Sequence, residues 1–235
     1  IKVLKDLGVK FKTGVEVGKD ITLDKLREQG FKAFYLAVGA SKGAKVGCPG
    51  DELPGVMTGI DFLREVNLGE KPAIGKNVAV IGGGNTALDD AVVLSQLAEK
   101  VYLIHRRQEF RAEKQLVEKV HKPENIEFIL DTVVTGLKGN KRLEGLELEN
   151  KVTGEKSELA VDGVFVAIGQ MPENGMFKNV VEVDAGGYIV AGEDCKTSCP
   201  GIFAAGDGRT KKVRQLTTAA ADGTVAALAA SEYIG

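Results

Sequence analysis

Three consecutive glycines, Gly82-Gly83-Gly84, follow Val78-Ala79-Val80-Ile81 and precede Asn85-Thr86-Ala87. The spacing is Gly82-x-Gly84-x-x-Ala87, between an apolar β-branched run and a segment with helical periodicity (Leu88, Ala91, Val92, Leu94, Leu97). In that context each small residue has a task. Gly82 allows a tight turn, Gly84 lets the backbone approach a pyrophosphate, and Ala87 lets the helix lie close to the strand. The helix start at Asn85 and Thr86 would turn free N–H groups and a positive dipole end towards phosphate. A structural turn alone could account for three glycines, so the flanking strand and helix carry the reading. The second strand, Val101-Tyr102-Leu103-Ile104, ends in His105-Arg106-Arg107, with Arg111 close behind. A site for an unphosphorylated ribose would place an acid near there. Guanidinium groups instead suit a 2′-phosphate, through bidentate charge-assisted bonds. The expected ligand is therefore NADPH in preference to NADH, although a run of charge can also be no more than a solvated basic face.

These residues need a scaffold, and the rest of the chain supplies one. Glycine makes up 30 of 235 residues against 6 prolines, and the glycines are scattered among apolar segments. That pattern indicates turns and close backbone approaches rather than a low-complexity tract. Three apolar runs end in glycine and read as buried strands: Phe34 to Gly39, Val164 to Gly169, and Ile202 to Gly206. Gly39, Gly169 and Gly206 are thus places where a cofactor backbone could approach. Helices are expected over 22–29, 60–66, 86–98, 111–120 and 217–233. Val9 to Val17 reads as a short strand, 40–59 as loops, 126–168 as a meander of short strands, and Tyr188 to Val190 as an edge strand.

Lysine and arginine number 31 against 33 aspartates and glutamates, a net charge of −2. That excludes a generally basic nucleic-acid binder. No apolar run reaches the ~18 residues of a membrane span, and Ile1-Lys2-Val3-Leu4-Lys5-Asp6 does not read as a signal peptide. Three cysteines make no disulfide framework, so a cytoplasmic setting is expected. No metal site is expected either: His121 stands among Lys122, Pro123 and Glu124, and three cysteines cannot by themselves hold a cubane cluster.

The segment from Gly82 to Ala87, with His105-Arg106-Arg107-Gln108-Glu109-Phe110-Arg111-Ala112-Glu113-Lys114, resembles the NADPH domain of bacterial thioredoxin reductases. Asp184 to Ile189, Pro200 to Asp207 and Arg214 to Gly223 resemble the FAD domain of the same family. The N-terminal third is similar instead to the small (beta) subunit of glutamate synthase. There the matching residues are Leu7-Gly8-Val9, Val17 to Thr22, Leu36 to Ala40 and Pro49 to Val56. Together these likenesses identify a flavoprotein of the pyridine nucleotide-disulfide oxidoreductase superfamily. They imply that Asp207 accepts a hydrogen bond from the FAD ribityl or phosphate region, with Gly206 close to it. Arg214, Gln215, Leu216 and Thr217 would lie by the flavin, and Ile168 and Gly169 would line the nicotinamide side. Asp89 would stand near the nicotinamide, or simply complement the helix dipole.

The departures matter as much. Thioredoxin reductases carry a redox Cys-x-x-Cys shortly before the NADPH glycine loop, and Gly59 to Val66 holds no cysteine. A dithiol relay is therefore not expected. A first FAD-binding βαβ unit, with its own glycine loop, is expected ahead of Ile1. The expected architecture is α/β, with two Rossmann-like three-layer dinucleotide-binding domains, the FAD domain incomplete. Residues 1–59 and 170–235 form the partial FAD domain, and 60–169 the NADPH domain. The cofactors are NADPH and, in the intact protein rather than this chain alone, FAD. Hydride would pass from NADPH to FAD and on to iron–sulfur centres of a partner domain or large subunit, with a homodimer left open. No side chain is expected to act as an acid or base catalyst. The alternatives are a thioredoxin- or ferredoxin-reductase-like enzyme with another acceptor, and a non-catalytic NADPH-binding module.

Overall fold

A computed structural model describes residues 1–235. In chain order the elements begin with α1 (Lys2–Asp6), α2 (Leu23–Glu28), β1 (Phe34–Leu36), β2 (Lys42–Gly43), β3 (Val56–Thr58) and α3 (Gly59–Asn67). Then come β4 (Asn77–Ile81), α4 (Asn85–Leu94), β5 (Lys100–Ile104), α5 (Lys114–Val120) and β6 (Ile126–Ile129). Next are β7 (Thr132–Gly139), β8 (Leu143–Asn150), β9 (Lys156–Ala160), β10 (Gly163–Val166) and β11 (Gln170–Met171). The chain closes with β12 (Ile202–Ala204) and α6 (Leu216–Ile234). It divides into two compact units, Lys42–Gln170 and the pair Ile1–Ser41 with Met171–Gly235.

In the unit Lys42–Gln170, five strands form a parallel sheet in the order β3-β10-β4-β5-β6. Side chains of a strand point alternately to opposite faces, and here both faces are covered. Val78 and Val80 of β4, with Val101 and Leu103 of β5, pack under Ala87, Leu88, Ala91 and Val92 of α4 and Val120 of α5. Ala79, Ile81 and Ile104 face the other way, onto Val134, Leu137, Leu146 and Leu148. Those four belong to the antiparallel sheet β7-β8-β9, which roofs that face. Helices, parallel sheet and antiparallel sheet make three layers, a Rossmann-like arrangement.

In the other unit, β1 and β12 pair in parallel. Leu36, Ile202 and Ala204 pack with Leu23, Phe177 and Val181, while Phe203 and Ala205 pack with Cys195 and Ala226 of α6. Thr22 caps α2 by accepting a hydrogen bond from Lys25 N–H at 3.1 Å. No helix is long and apolar enough to cross a membrane.

The structure departs from the sequence expectations at several places. Val9 to Val17 forms no strand, and its one pairing is the isolated bridge Val17–Ile21. The stretch expected as loops contains β3, which completes the parallel sheet beside β10. Ile126–Ile129 does not join the meander but becomes the parallel edge strand β6, paired with β5. Tyr188 to Val190 makes bridges without becoming a strand. The run from Phe34 is buried at Phe34 and Leu36 but not throughout, since Tyr35 is 42% exposed and Val38 49%. Finally, α5 begins at Lys114, which leaves Arg111 on a loop.

Candidate dinucleotide site

The turn after β4 is closed by sterics. Gly82 has φ +156, and a Cβ there would stand 2.5 Å from Ala167 O and 2.7 Å from the Cβ of Ala87. Strand, turn and helix can approach this closely only without a side chain at that position. Gly84 is different: a Cβ built on it meets nothing within 4 Å, so its backbone faces open space. Gly84 is also the N-cap of α4, and no side chain caps that helix. The first N–H groups of α4 are left for an anion.

That open space is a cavity of about 580 Å³. Gly82, Gly83, Gly84 and Thr86 line it from the turn, His105, Arg106, Arg107 and Arg111 from the segment after β5, and Ile168 and Gly169 from the segment after β10. Ten residues expected from the sequence to bind a nucleotide therefore share one cavity at the C-terminal ends of parallel strands, the usual place for ligands in such sheets. None of the three guanidinium groups pairs with a carboxylate or makes any other bond within the chain. His105 is buried, its ring stacked on Phe110 at 5.5 Å between centroids. Burial, and then the charges of Arg106, Arg107 and Arg111, push its imidazole below the usual value, against a hydrogen bond that favours the charged form. The ring is neutral at pH 7, and Nε2 donates to Glu109 O at 3.1 Å, which fixes the tautomer.

Two expected residues of this group stand elsewhere. Asn85 turns towards Glu113, and Asp89 lies on the exposed side of α4, 3.8 Å from Lys119 Nζ. Ala87, Leu88, Ala91 and Val92 of α4 face the sheet, which turns Asp89 outward. The sequence reading also missed Val46, Thr132, Val133 and Val134, which line the cavity from β7 and an upstream loop. Nothing local marks them, because the fold brings them there over long separations.

The neighbouring Asp90 was missed as well. Its Oδ2 is buried without a partner and faces Gly59 at the start of α3. Burial, and then the charge of Asp89, raise its carboxyl to about 6. The folded-state value lies above the unfolded one, so Asp90 favours folding at low pH and that contribution is lost as pH rises from about 4 to about 6. Asp90→Asn is expected to stabilise the unit by about 1–2 kcal/mol at pH 8, after allowance for partial solvation, and to gain nothing at pH 4. Denaturant unfolding at the two pH values checks this.

The remaining expected residues lie in the other unit. Gly206 has φ +76 and opens the 3-10 turn Gly206–Gly208 after β12. Asp207 Oδ1 is buried and has no partner, so an acceptor is available for a ligand hydroxyl. Arg214 Nε donates to Asp207 O at 3.4 Å, and its guanidinium stacks on Tyr188 at 3.9 Å. Gln215 caps α6, and Leu216 and Thr217 are exposed on its first turn. Gly39 lies against Gly208, where a Cβ would meet Gly39 O at 3.1 Å. Cys48, Cys195 and Cys199 are all free thiols, and none lines the cavity.

A family model, pyridine nucleotide-disulphide oxidoreductase, matches residues 2–223. The chain belongs to that family. Within it, the chain is 38% identical over 216 residues to a thioredoxin reductase of Peptoclostridium litorale, covering 86% of this chain and 65% of the relative. It is 41% identical over 161 residues to a 34.2 kDa protein in the rubredoxin operon of Clostridium pasteurianum, covering 68% of this chain and 52% of that one. Among solved structures, thioredoxin reductase from Lactococcus lactis superposes with a TM-score of 0.77 at 32% identity, over 86% of this chain and 66% of that one. The chain thus spans between half and two thirds of the length of these relatives. Membership of this oxidoreductase family supports NADPH and FAD as its cofactors, at the level of the family.

Proposed function

We propose that the unit Lys42–Gln170 binds NADPH as the electron-donor site of a flavoprotein oxidoreductase. The observation that carries this reading is the set Arg106, Arg107 and Arg111, unpaired within the chain and lining one cavity with an uncapped glycine turn. When bound, NADPH would supply hydride-donor chemistry and FAD the acceptor, and this chain would supply binding and orientation. The N–H groups at the start of α4 hold pyrophosphate, and the arginines take the 2′-phosphate. Neutral His105 fills the back of the turn. Ile168 and Gly169 form the wall on the nicotinamide side, and no side chain is assigned as acid or base. Asp207 and the Gly206–Gly208 turn are the residues offered to FAD in the intact protein, and the orphaned Asp207 Oδ1 supports that assignment.

For the outgoing electrons we favour iron–sulfur centres on a partner domain or large subunit in the cytoplasm. The N-terminal likeness to the glutamate synthase small subunit and the lack of a Cys-x-x-Cys support this. The thioredoxin-reductase relatives favour a second reading, a related flavoenzyme with another acceptor. Acceptor assays on the intact protein distinguish the two.

The nucleotide assignment is tested directly on this chain. Calorimetry should give NADPH at least about tenfold tighter than NADH, a difference of ~1.4 kcal/mol. Arg106→Glu should abolish most of that preference. Equal affinities in the parent would sink the assignment.

A further inference from the structure

The three arginines that make the cavity selective ride on a loop, and a loop must be held if its side chains are to meet a phosphate at a fixed distance. One end is built into the sheet. His105 N–H donates to Ile129 O at 2.9 Å, and His105 O accepts from Thr132 N–H at 3.0 Å. The other end is fastened to the glycine turn itself. Arg111 N–H donates to Gly83 O at 2.7 Å. Two residues on, Asn85 and Glu113 meet in a reciprocal pair. Asn85 Oδ1 accepts from Glu113 N–H at 2.9 Å, and Asn85 Nδ2 donates to Glu113 Oε1 at 3.2 Å. Asn85 is the first residue of α4 and Glu113 is the N-cap of α5, so the pair also couples two helix starts. Glu113 does not line the cavity. Its carboxylate neutralises none of the arginines, whose guanidinium groups make no bond within the chain.

We propose that Asn85 and Glu113 form a clasp that sets nucleotide specificity. It holds the arginine loop at the distance from the glycine turn that a 2′-phosphorylated dinucleotide requires. Glu113 acts as a positioning residue, through a hydrogen bond and not through its charge. The proposal rests on the NADPH reading above. It separates the two nucleotides because the pyrophosphate site needs only the turn, whereas the 2′-phosphate site needs turn and loop in register.

The test is calorimetry of the chain with NADPH and with NADH, at one ionic strength, with thermal melts of every variant. Glu113→Ala should lower the NADPH-over-NADH preference about five- to tenfold, through weaker NADPH, with NADH within about twofold of the parent. Glu113→Gln keeps the acceptor and should keep the preference. Asn85→Asp places two carboxylates face to face and should lose the preference, which provides a second route if the alanine variant folds poorly. A discriminating parent whose Glu113→Ala variant discriminates equally well overturns the clasp alone. So does an equal loss for both nucleotides, which marks a general packing role. Equal affinities in the parent overturn the NADPH reading and the clasp with it.

Discussion

Asp222→Ala is expected to destabilise its unit by about 3–5 kcal/mol, because it strands two buried cations. Arg209 is 2% exposed, and it grips Asp222 with two bonds of 2.7 Å, from Nε and Nη2. Lys211 Nζ reaches the same carboxylate at 2.8 Å, and Gly206 N–H donates to it at 2.9 Å. The Arg209 guanidinium, then Lys211 and the Gly206 N–H, hold the Asp222 carboxyl well below the usual carboxylate range, against the opposing effect of burial. The folded value lies below the unfolded one. Asp222 therefore adds stability that is present above the unfolded value of about 4 and is lost as pH falls through the folded one. The parent should lose stability on acidification below about pH 4, and Asp222→Asn should flatten that slope. A control isolates the cause. Replacing Arg209, Lys211 and Asp222 together by apolar residues of similar volume should cost far less than Asp222→Ala, since no charge is left uncompensated. Denaturant unfolding of the single and triple variants reads this out, and a triple variant as unstable as the single one would refute it. The network also ties α6 to the turn that carries Asp207, so Asp222 governs the shape of the expected flavin-side loop.

The sequence made the candidate dinucleotide site legible because its parts are contiguous. Strand β4, the glycine turn, α4 and β5 all fall between Asn77 and Ile104, and each is specified by local signals: β-branched runs, glycines without room for a Cβ, an apolar helical stripe. The arginines follow at once. What was not legible depends on distant partners. β3 and β6 are short strands at the edges of the parallel sheet, and only pairing with β10 and β5 makes them strands. Val9 to Val17 has the alternation of a strand but pairs only through the bridge Val17–Ile21, so the pattern yields no strand. Asp222 and Glu113 carry no signal in their own segments. The first is defined by Arg209, thirteen positions away, and the second by Asn85, twenty-eight away. Asp89 kept two readings open for the opposite reason. An acid in the first turns of a helix is compatible with either face, and packing of Ala87, Leu88 and Ala91 decides which way it points.

Within the glycine turn, two substitutions of one methyl group each should have opposite consequences. Gly82→Ala should destabilise the unit by about 3 kcal/mol, combining backbone strain at positive φ with overpacking. The atoms it would meet are Ala167 O and the Cβ of Ala87, and neither can swing away. Gly84→Ala should leave stability within about 0.5 kcal/mol of the parent, since its φ is −98 and the added Cβ meets nothing within 4 Å. That same Cβ would project into the cavity in front of the α4 N–H groups, where the pyrophosphate is expected. NADPH and NADH should both weaken by at least about tenfold, because the pyrophosphate is common to both. Gly83→Ala lies between these cases. Its Cβ would fall 2.2 Å from the His105 ring, a side chain that can move only by leaving its stack on Phe110. Combining Gly83→Ala with His105→Ala should recover part of the lost stability, a coupling that a double-mutant cycle measures. A Gly84→Ala variant that melts like the parent and still binds NADPH with parental affinity would remove the glycine turn from the nucleotide site.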